Sequence, residues 1–96
     1  MEDLAIETGS RILKAMANIK RLQILFVLRS GEKSVGELEE VMALSQSALS
    51  QHLAVLRRAK VVKTRRQAQT IYYAINNAIV LNILSLLDKY YNQRYE

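Results

Sequence analysis

With 96 residues, 50% of them apolar and 24% charged, the chain has the length of one small domain, 1–96, and no room for a second. A domain this short buries about two-thirds of the surface its unfolded form exposes, enough for one core but seldom for a deep substrate cavity, which argues against an enzyme. Fourteen Lys and Arg against nine Asp and Glu give a formal charge of +5, which favours a polyanionic partner such as nucleic acid or an anionic membrane surface.

The first predicted element is a helix over Leu4 to Met16, with Ile12, Leu13 and Met16 apolar. Asn18 is a good N-cap for a second helix, in which Leu22, Leu25, Phe26 and Leu28 repeat at helical spacing. Gly31 is placed to cap its C-terminus. Ser34-Val35-Gly36-Glu37 spells a capping box and starts a short third helix that runs to about Met42. Ser45 can cap a fourth helix whose Leu49, Leu53 and Leu56 form one apolar stripe, while Gln46, Ser47, Ser50, Gln51 and Arg57 occupy the opposite face. Val61 to Arg66 and Thr70 to Ile75 are rich in β-branched and aromatic residues and flank Gln67-Ala68-Gln69, which predicts a β-hairpin, although its tip lacks the usual Gly or Asn. Asn76 or Asn77 then caps a last helix to about Tyr91, apolar at Val80, Ile83, Leu84, Leu87, Tyr90 and Tyr91. No repeat, linker or low-complexity segment interrupts this series.

The charges are unevenly placed. All nine acids lie within Glu2 to Glu40 or Asp88 to Glu96, so the 47 residues from Val41 to Leu87 hold none, while Arg57, Arg58, Lys60, Lys63, Arg65 and Arg66 all fall there. Two short helices joined by a tight turn, the second polar on its outer face and followed by a basic hairpin, is the order of a winged helix-turn-helix. A mainly α fold with a β-hairpin wing is therefore expected. An α-helix fits the major groove of B-DNA, where Gln and Ser exchange hydrogen bonds with base edges, and a basic hairpin lies along phosphates or the adjacent minor groove. Carboxylates on that surface would be repelled by phosphate, so their absence suits a DNA-facing side.

The run Ser45-Gln46-Ser47-Ala48-Leu49-Ser50-Gln51-His52-Leu53 resembles the ArsR/SmtB family of dimeric bacterial repressors. So do Lys14-Ala15-Met16-Ala17-Asn18, Lys20-Arg21-Leu22 and Val35-Gly36-Glu37-Leu38 upstream, and Thr64-Arg65-Arg66 with Gln69-Thr70-Ile71-Tyr72-Tyr73 downstream. The motifs occur in family order over nearly the whole chain and are most similar to the HlyU and NolR type. The resemblance implies that Gln46, Ser47, Ser50 and Gln51 face the major groove and that Arg65, Arg66, Gln67 and Gln69 form the wing. Arg57, on the same helix face as Gln46 and Ser50, joins them as a DNA-binding candidate.

The resemblance also implies a homodimer through the first and last helices, with Ile12, Leu13, Met16, Val80, Ile83, Leu84, Leu87 and Tyr91 as interface candidates. Independently, so short a chain has little with which to cover the apolar faces of both helices. Metal-sensing members carry a Cys motif in the third helix, where this chain has Val35 to Glu40, or ligands on the last helix, which here contains no His. Thiol-switching members pair two Cys at positions that match Phe26 and Asn92. Ile19 stands where many members have Pro.

Cysteine is absent, which removes disulfides, thiolate metal sites and cysteine nucleophiles together. One His cannot build a protein metal site, so no metal or other cofactor is expected. His52, beside the Leu49 and Leu53 stripe, is open to a packing role or a DNA contact. The serines near it have no carboxylate in the same stretch to orient the imidazole, so helix capping and DNA contact explain them better than catalysis. Glu37, Glu39 and Glu40 read as the solvated face of a short helix. The acidic start, Met1-Glu2-Asp3-Leu4, is unlike a secretory signal and no apolar run is long enough for a membrane span, so a cytoplasmic protein without a membrane partner is expected. Double-stranded DNA and a second copy of the chain are the expected partners, and no small-molecule effector is specified. A sequence-specific regulator leads; an architectural or anti-silencing DNA-binding protein, or a winged helix used for protein interaction, are the alternatives.

Overall fold

The structure is a computed structural model that describes residues 1–92; residues 93–96 of the expected domain lie outside it. The order is α1 (Asp3–Met16), α2 (Ile19–Leu28), β1 (Lys33–Ser34), α3 (Val35–Val41), α4 (Gln46–Arg58), β2 (Val62–Gln67), β3 (Thr70–Ile75) and α5 (Ala78–Tyr91). The fold is mainly helical, with a small antiparallel sheet whose hairpin forms the wing. All five expected helices are present, and local chemistry explains where they start. Asn18 Oδ1 accepts from the Arg21 amide, Ser45 Oγ from the Ala48 amide, and Asn77 Oδ1 from the Ile79 and Val80 amides. At α3 the capping box is complete: Ser34 Oγ accepts from the Glu37 amide at 3.1 Å while the Ser34 amide donates to the Glu37 carboxylate at 3.0 Å.

The structure corrects the sequence reading in three places. The sheet has three strands in the order β1-β3-β2, because Lys33 and Ser34 pair with Tyr73 and Tyr72. The hairpin loop is two residues, Ala68-Gln69, since Gln67 pairs with Thr70. Ala68 takes a φ of 56°, a left-handed conformation that usually calls for Gly or Asn. Finally, α2 is capped at Arg29, and Gly31 lies two residues further on, where a φ of 140° makes glycine the fitting residue.

The exit from α4 is a Schellman motif. Val61 N–H donates to the Leu56 carbonyl at 3.2 Å and Lys60 N–H to the Arg57 carbonyl at 3.0 Å, with Lys60 at a φ of 62°. Val61 and Leu56 are both fully buried, the apolar contact that accompanies this turn. A side chain in the left-handed region costs about 1 kcal/mol, so Lys60→Gly is expected to raise the thermal unfolding midpoint by a few degrees. An unchanged or lowered midpoint would mean the turn carries no such strain.

A single core joins every helix. It gathers Ile12, Ala15 and Met16 of α1, Ile24, Leu25 and Leu28 of α2, Leu38 of α3, the Leu49, Leu53 and Leu56 stripe of α4, Val61 from the turn after it, Val62 and Tyr73 of the sheet, and Val80 and Leu84 of α5. Truncating one such leucine to alanine typically costs about 2–5 kcal/mol, so this packing holds α4 firmly against the body of the fold. Among the described residues no buried side chain is polar or charged. Among the described residues no helix is long and apolar enough to cross a membrane.

Candidate nucleic-acid interface

Helix α4 is held by one face and open on the other. Its three core leucines are at most 2% exposed, whereas Gln46, Ser47, Ser50, Gln51 and Arg57 are all exposed. Helical spacing puts Gln46, Ser50 and Arg57 on nearly one line, with Ser47 and Gln51 beside it. Gln46, Ser47, Ser50, Gln51 and Ala54 together border one shallow concave surface. The methyl group of Ala54 in its midst escaped the sequence reading because alanine gave no polar signal; it suits apolar contact with a thymine methyl. The α3–α4 pair is thus a helix-turn-helix whose second helix presents amides and hydroxyls on an uncovered face.

His52 lies off that face and is half-buried, its Nδ1 at 3.5 Å from Arg21 Nη1. Arg21 also donates from Nε to the Ala15 carbonyl at 2.6 Å and from Nη2 to the Lys14 carbonyl at 3.3 Å, satisfying two acceptors left open at the end of α1. Arg11 Nε reaches the Ala59 carbonyl at 3.4 Å, tying α1 to the end of α4. These two arginines, with Lys14 and Arg58, line a basic cleft of about 740 Å³ between α1 and α4. Arg11 and Arg21 thus already donate to backbone carbonyls as well as contributing to the field.

On the wing, Arg65, Arg66, Gln67 and Gln69 are exposed, but strand alternation separates them. Arg66 shares a face with Thr64 and with the core residue Val62. Lys63, Arg65 and Gln67 share the other face. Arg65 there makes a bidentate pair with Glu32, Nε to Oε2 at 3.0 Å and Nη2 to Oε1 at 2.8 Å, donates from Nη1 to Gln67 Oε1 at 2.9 Å, and sits 4.4 Å from the Tyr72 ring centre. Glu32 and Tyr72 were not anticipated from sequence, since 33 residues separate the ion-paired partners. Among the described residues no ion pair engages Lys63, Arg66 or the α4 arginines.

Two carboxylates are held below the ordinary glutamate range. The Arg65 guanidinium does this at Glu32, and the Ser34 backbone amide does it at Glu37. A lowered folded-state pKa means that each contribution is present above the unfolded value and is lost as pH falls through the folded one. The Glu32→Gln/Glu37→Gln double variant is therefore expected to lose less of its thermal midpoint than wild type on acidification from about pH 6 to pH 3. Equal losses would place the acid sensitivity elsewhere.

The interface candidates of α1 and α5 divide into two groups. Ile12, Met16, Val80 and Leu84 are buried in the protomer's own core, so their side chains are already covered. Leu13 and Tyr91 are exposed, and Ile83 and Leu87 partly so. An apolar groove of about 630 Å³ runs between α1 and α5, lined by Leu4, Ala5, Gly9, Leu13, Ile79 and Ile83. Further along α5, Leu86 and Tyr90 continue the exposed stripe at 55% and 54%.

An uncovered polar face on the second helix of a helix-turn-helix, beside a basic hairpin, defines a winged-helix DNA-binding protein. Comparison with known proteins narrows the class. The profile described as bacterial regulatory protein, arsR family, matches residues 18–64. The transcriptional activator HlyU of Vibrio cholerae is 54% identical over 82 residues, 85% of this chain and 76% of that protein. Its solved structure superposes with a TM-score of 0.89 at 49% identity, covering 97% of this chain and all of that one. The nodulation protein NolR of Rhizobium meliloti is 52% identical over 90 residues, 94% of this chain and 72% of that protein. A homodimeric winged helix-turn-helix DNA-binding domain from Mycobacterium bovis matches with a TM-score of 0.84 at 27% identity, over 98% of this chain and 90% of that one. The chain belongs to the ArsR family of bacterial regulatory proteins, DNA-binding transcription regulators of winged-helix fold.

Proposed function

We propose that this chain is a sequence-specific transcription regulator that acts in the cytoplasm as a homodimer on palindromic operator DNA, and is not an enzyme. The observation that carries the reading is the uncovered face of α4 set in a stretch without carboxylates. Gln46, Ser47, Ser50 and Gln51 read base edges, and Arg57, Arg66, Gln69 and Lys63 approach the backbone. The groove between α1 and α5 and the exposed Leu13, Leu86 and Tyr90 supply the dimer face, together with the partly exposed Ile83 and Leu87 and with Tyr91. Gly9 fits this assignment: a Cβ there would meet nothing within 4 Å in the protomer, yet glycine inside a helix costs about 1 kcal/mol relative to alanine. A close approach by a second copy gives the missing side chain a purpose.

With no cysteine in the chain and one His, the regulator is read as lacking a thiol or metal sensor. Selection of bound fragments from random DNA, followed by footprinting, tests the whole reading. The expected site is twofold-symmetric, with half-sites about 34–36 Å apart in successive major grooves. The same footprint is expected with a chelator or with peroxide present. A single asymmetric half-site, or protection lost to the chelator, contradicts it. Protection without sequence preference favours the architectural alternative instead.

A further inference from the structure

Residue Glu32 lies just before β1, and Arg65 lies in β2, yet these strands are not neighbours: β3 runs between them. In the register, Arg65 stands opposite Tyr72, and Tyr72 opposite Ser34, so the three form one row across the sheet. The Arg65 side chain crosses this row on the face away from the core. It passes over the Tyr72 ring and closes on the Glu32 carboxylate with two hydrogen bonds. This row is also the last one in which the sheet has three strands. Beyond it, Arg66 pairs with Ile71 and Gln67 with Thr70 in a bare two-stranded ribbon, an arrangement that is marginally stable by itself and free to twist.

We propose that Glu32 and Arg65 form a strap at the root of the wing that sets its angle to α4, so that Arg65 is a positioning residue and the phosphate contacts fall to Arg66 and Lys63. An exposed ion pair alone holds little, but a bidentate fork with fixed geometry is the exception. Here the same guanidinium is also held by the Gln67 amide and the Tyr72 ring. The fork that would grip a phosphate already grips a carboxylate. The pairing lowers the Glu32 pKa and raises that of Arg65, as expected of a pair that stays closed at neutral pH. Like the assignment of the wing itself, the strap's purpose rests on the DNA-binding reading above.

The sign of one substitution separates positioning from direct contact. If Arg65 positions the wing, Glu32→Gln and Arg65→Gln each weaken operator binding, by roughly three- to tenfold, and the double variant is no weaker than either single one. The salt dependence keeps the wild-type slope, and the charge swap Glu32→Arg/Arg65→Glu recovers part of the affinity. If Arg65 instead binds phosphate, Glu32→Gln removes a competing anion and strengthens binding, and Arg65→Gln lowers the salt slope by about one. That result, or unchanged affinity in both single variants, overturns the proposal. Hydrogen exchange on the free protein supplies a readout independent of DNA: amides between Arg66 and Ile71 are expected to exchange faster in Glu32→Gln than in wild type. If wild type binds no DNA, the regulator reading fails and exchange alone decides the strap. Unchanged exchange overturns it.

Discussion

Glutamate at Leu13 or Leu86 is expected to yield a folded monomer that holds operator DNA poorly, whereas glutamate at Leu84 is expected to unfold the protomer. All three are apolar residues of the two helices assigned to the dimer, yet they meet different surroundings. Leu84 is 0% exposed in the core, where an unpaired carboxylate costs several kcal/mol of a total stability of about 5–15 kcal/mol. Leu13 and Leu86 are 56% and 55% exposed, so in a lone protomer a charge there stays in water and costs almost nothing. In the proposed dimer the same carboxylate would be buried against a second copy, so the penalty is expected to fall there. Loss of the proposed dimer is expected to uncouple its two half-site contacts and forfeit the effective concentration that links them, an effect of roughly 10²-fold or more on operator affinity. Sedimentation, circular dichroism and anisotropy on the three variants make the comparison. Intact dimers for both Leu13→Glu and Leu86→Glu would move the interface to another surface.

The second large effect concerns base reading. Gln46→Ala and Ser47→Ala each remove a group from the uncovered face of α4 without touching the core, so both proteins are expected to fold as wild type. If each side chain reads a base as proposed, its loss is expected to relax discrimination at one operator position by about 1–3 kcal/mol, roughly five- to 150-fold. Arg66→Ala is expected to weaken operator and unrelated DNA alike and to reduce the salt slope by about one, because a phosphate contact carries no sequence information. The same loss on both DNAs for all three variants would remove α4 from the major groove.

Much of this arrangement could be read before the fold was known, because it is written in short-range chemistry. Ser34 with Glu37, Ser45 and Asn77 each act within three residues, and the Leu49, Leu53 and Leu56 stripe gives the orientation of α4 and thereby its outward polar face. What escaped depends on contacts between distant segments. Two residues, Lys33 and Ser34, cannot show strand alternation, and their partners Tyr73 and Tyr72 lie some forty residues away. The Glu32–Arg65 strap is hidden for the same reason, and without it Arg65 reads as one more wing cation. Periodicity also failed to separate the apolar stripes of α5: it puts Leu84 on one face with Ile83 and Leu87 and passes over Leu86, and only packing shows that Leu84 is buried, Ile83 and Leu87 partly exposed and Leu86 free. At Lys60 and Ala68 the backbone adopts left-handed conformations under side chains that give no hint of them.

In the proposed regulator the face of α4 reads sequence while the surrounding positive field supplies affinity. Wild-type binding to the selected operator and to unrelated duplex, followed by anisotropy across a salt series, addresses both halves at once. Log affinity is expected to fall linearly with log salt on both DNAs, with the operator favoured by about 10³ or more at physiological salt. Equal affinity for the two DNAs, or binding indifferent to salt, would contradict it.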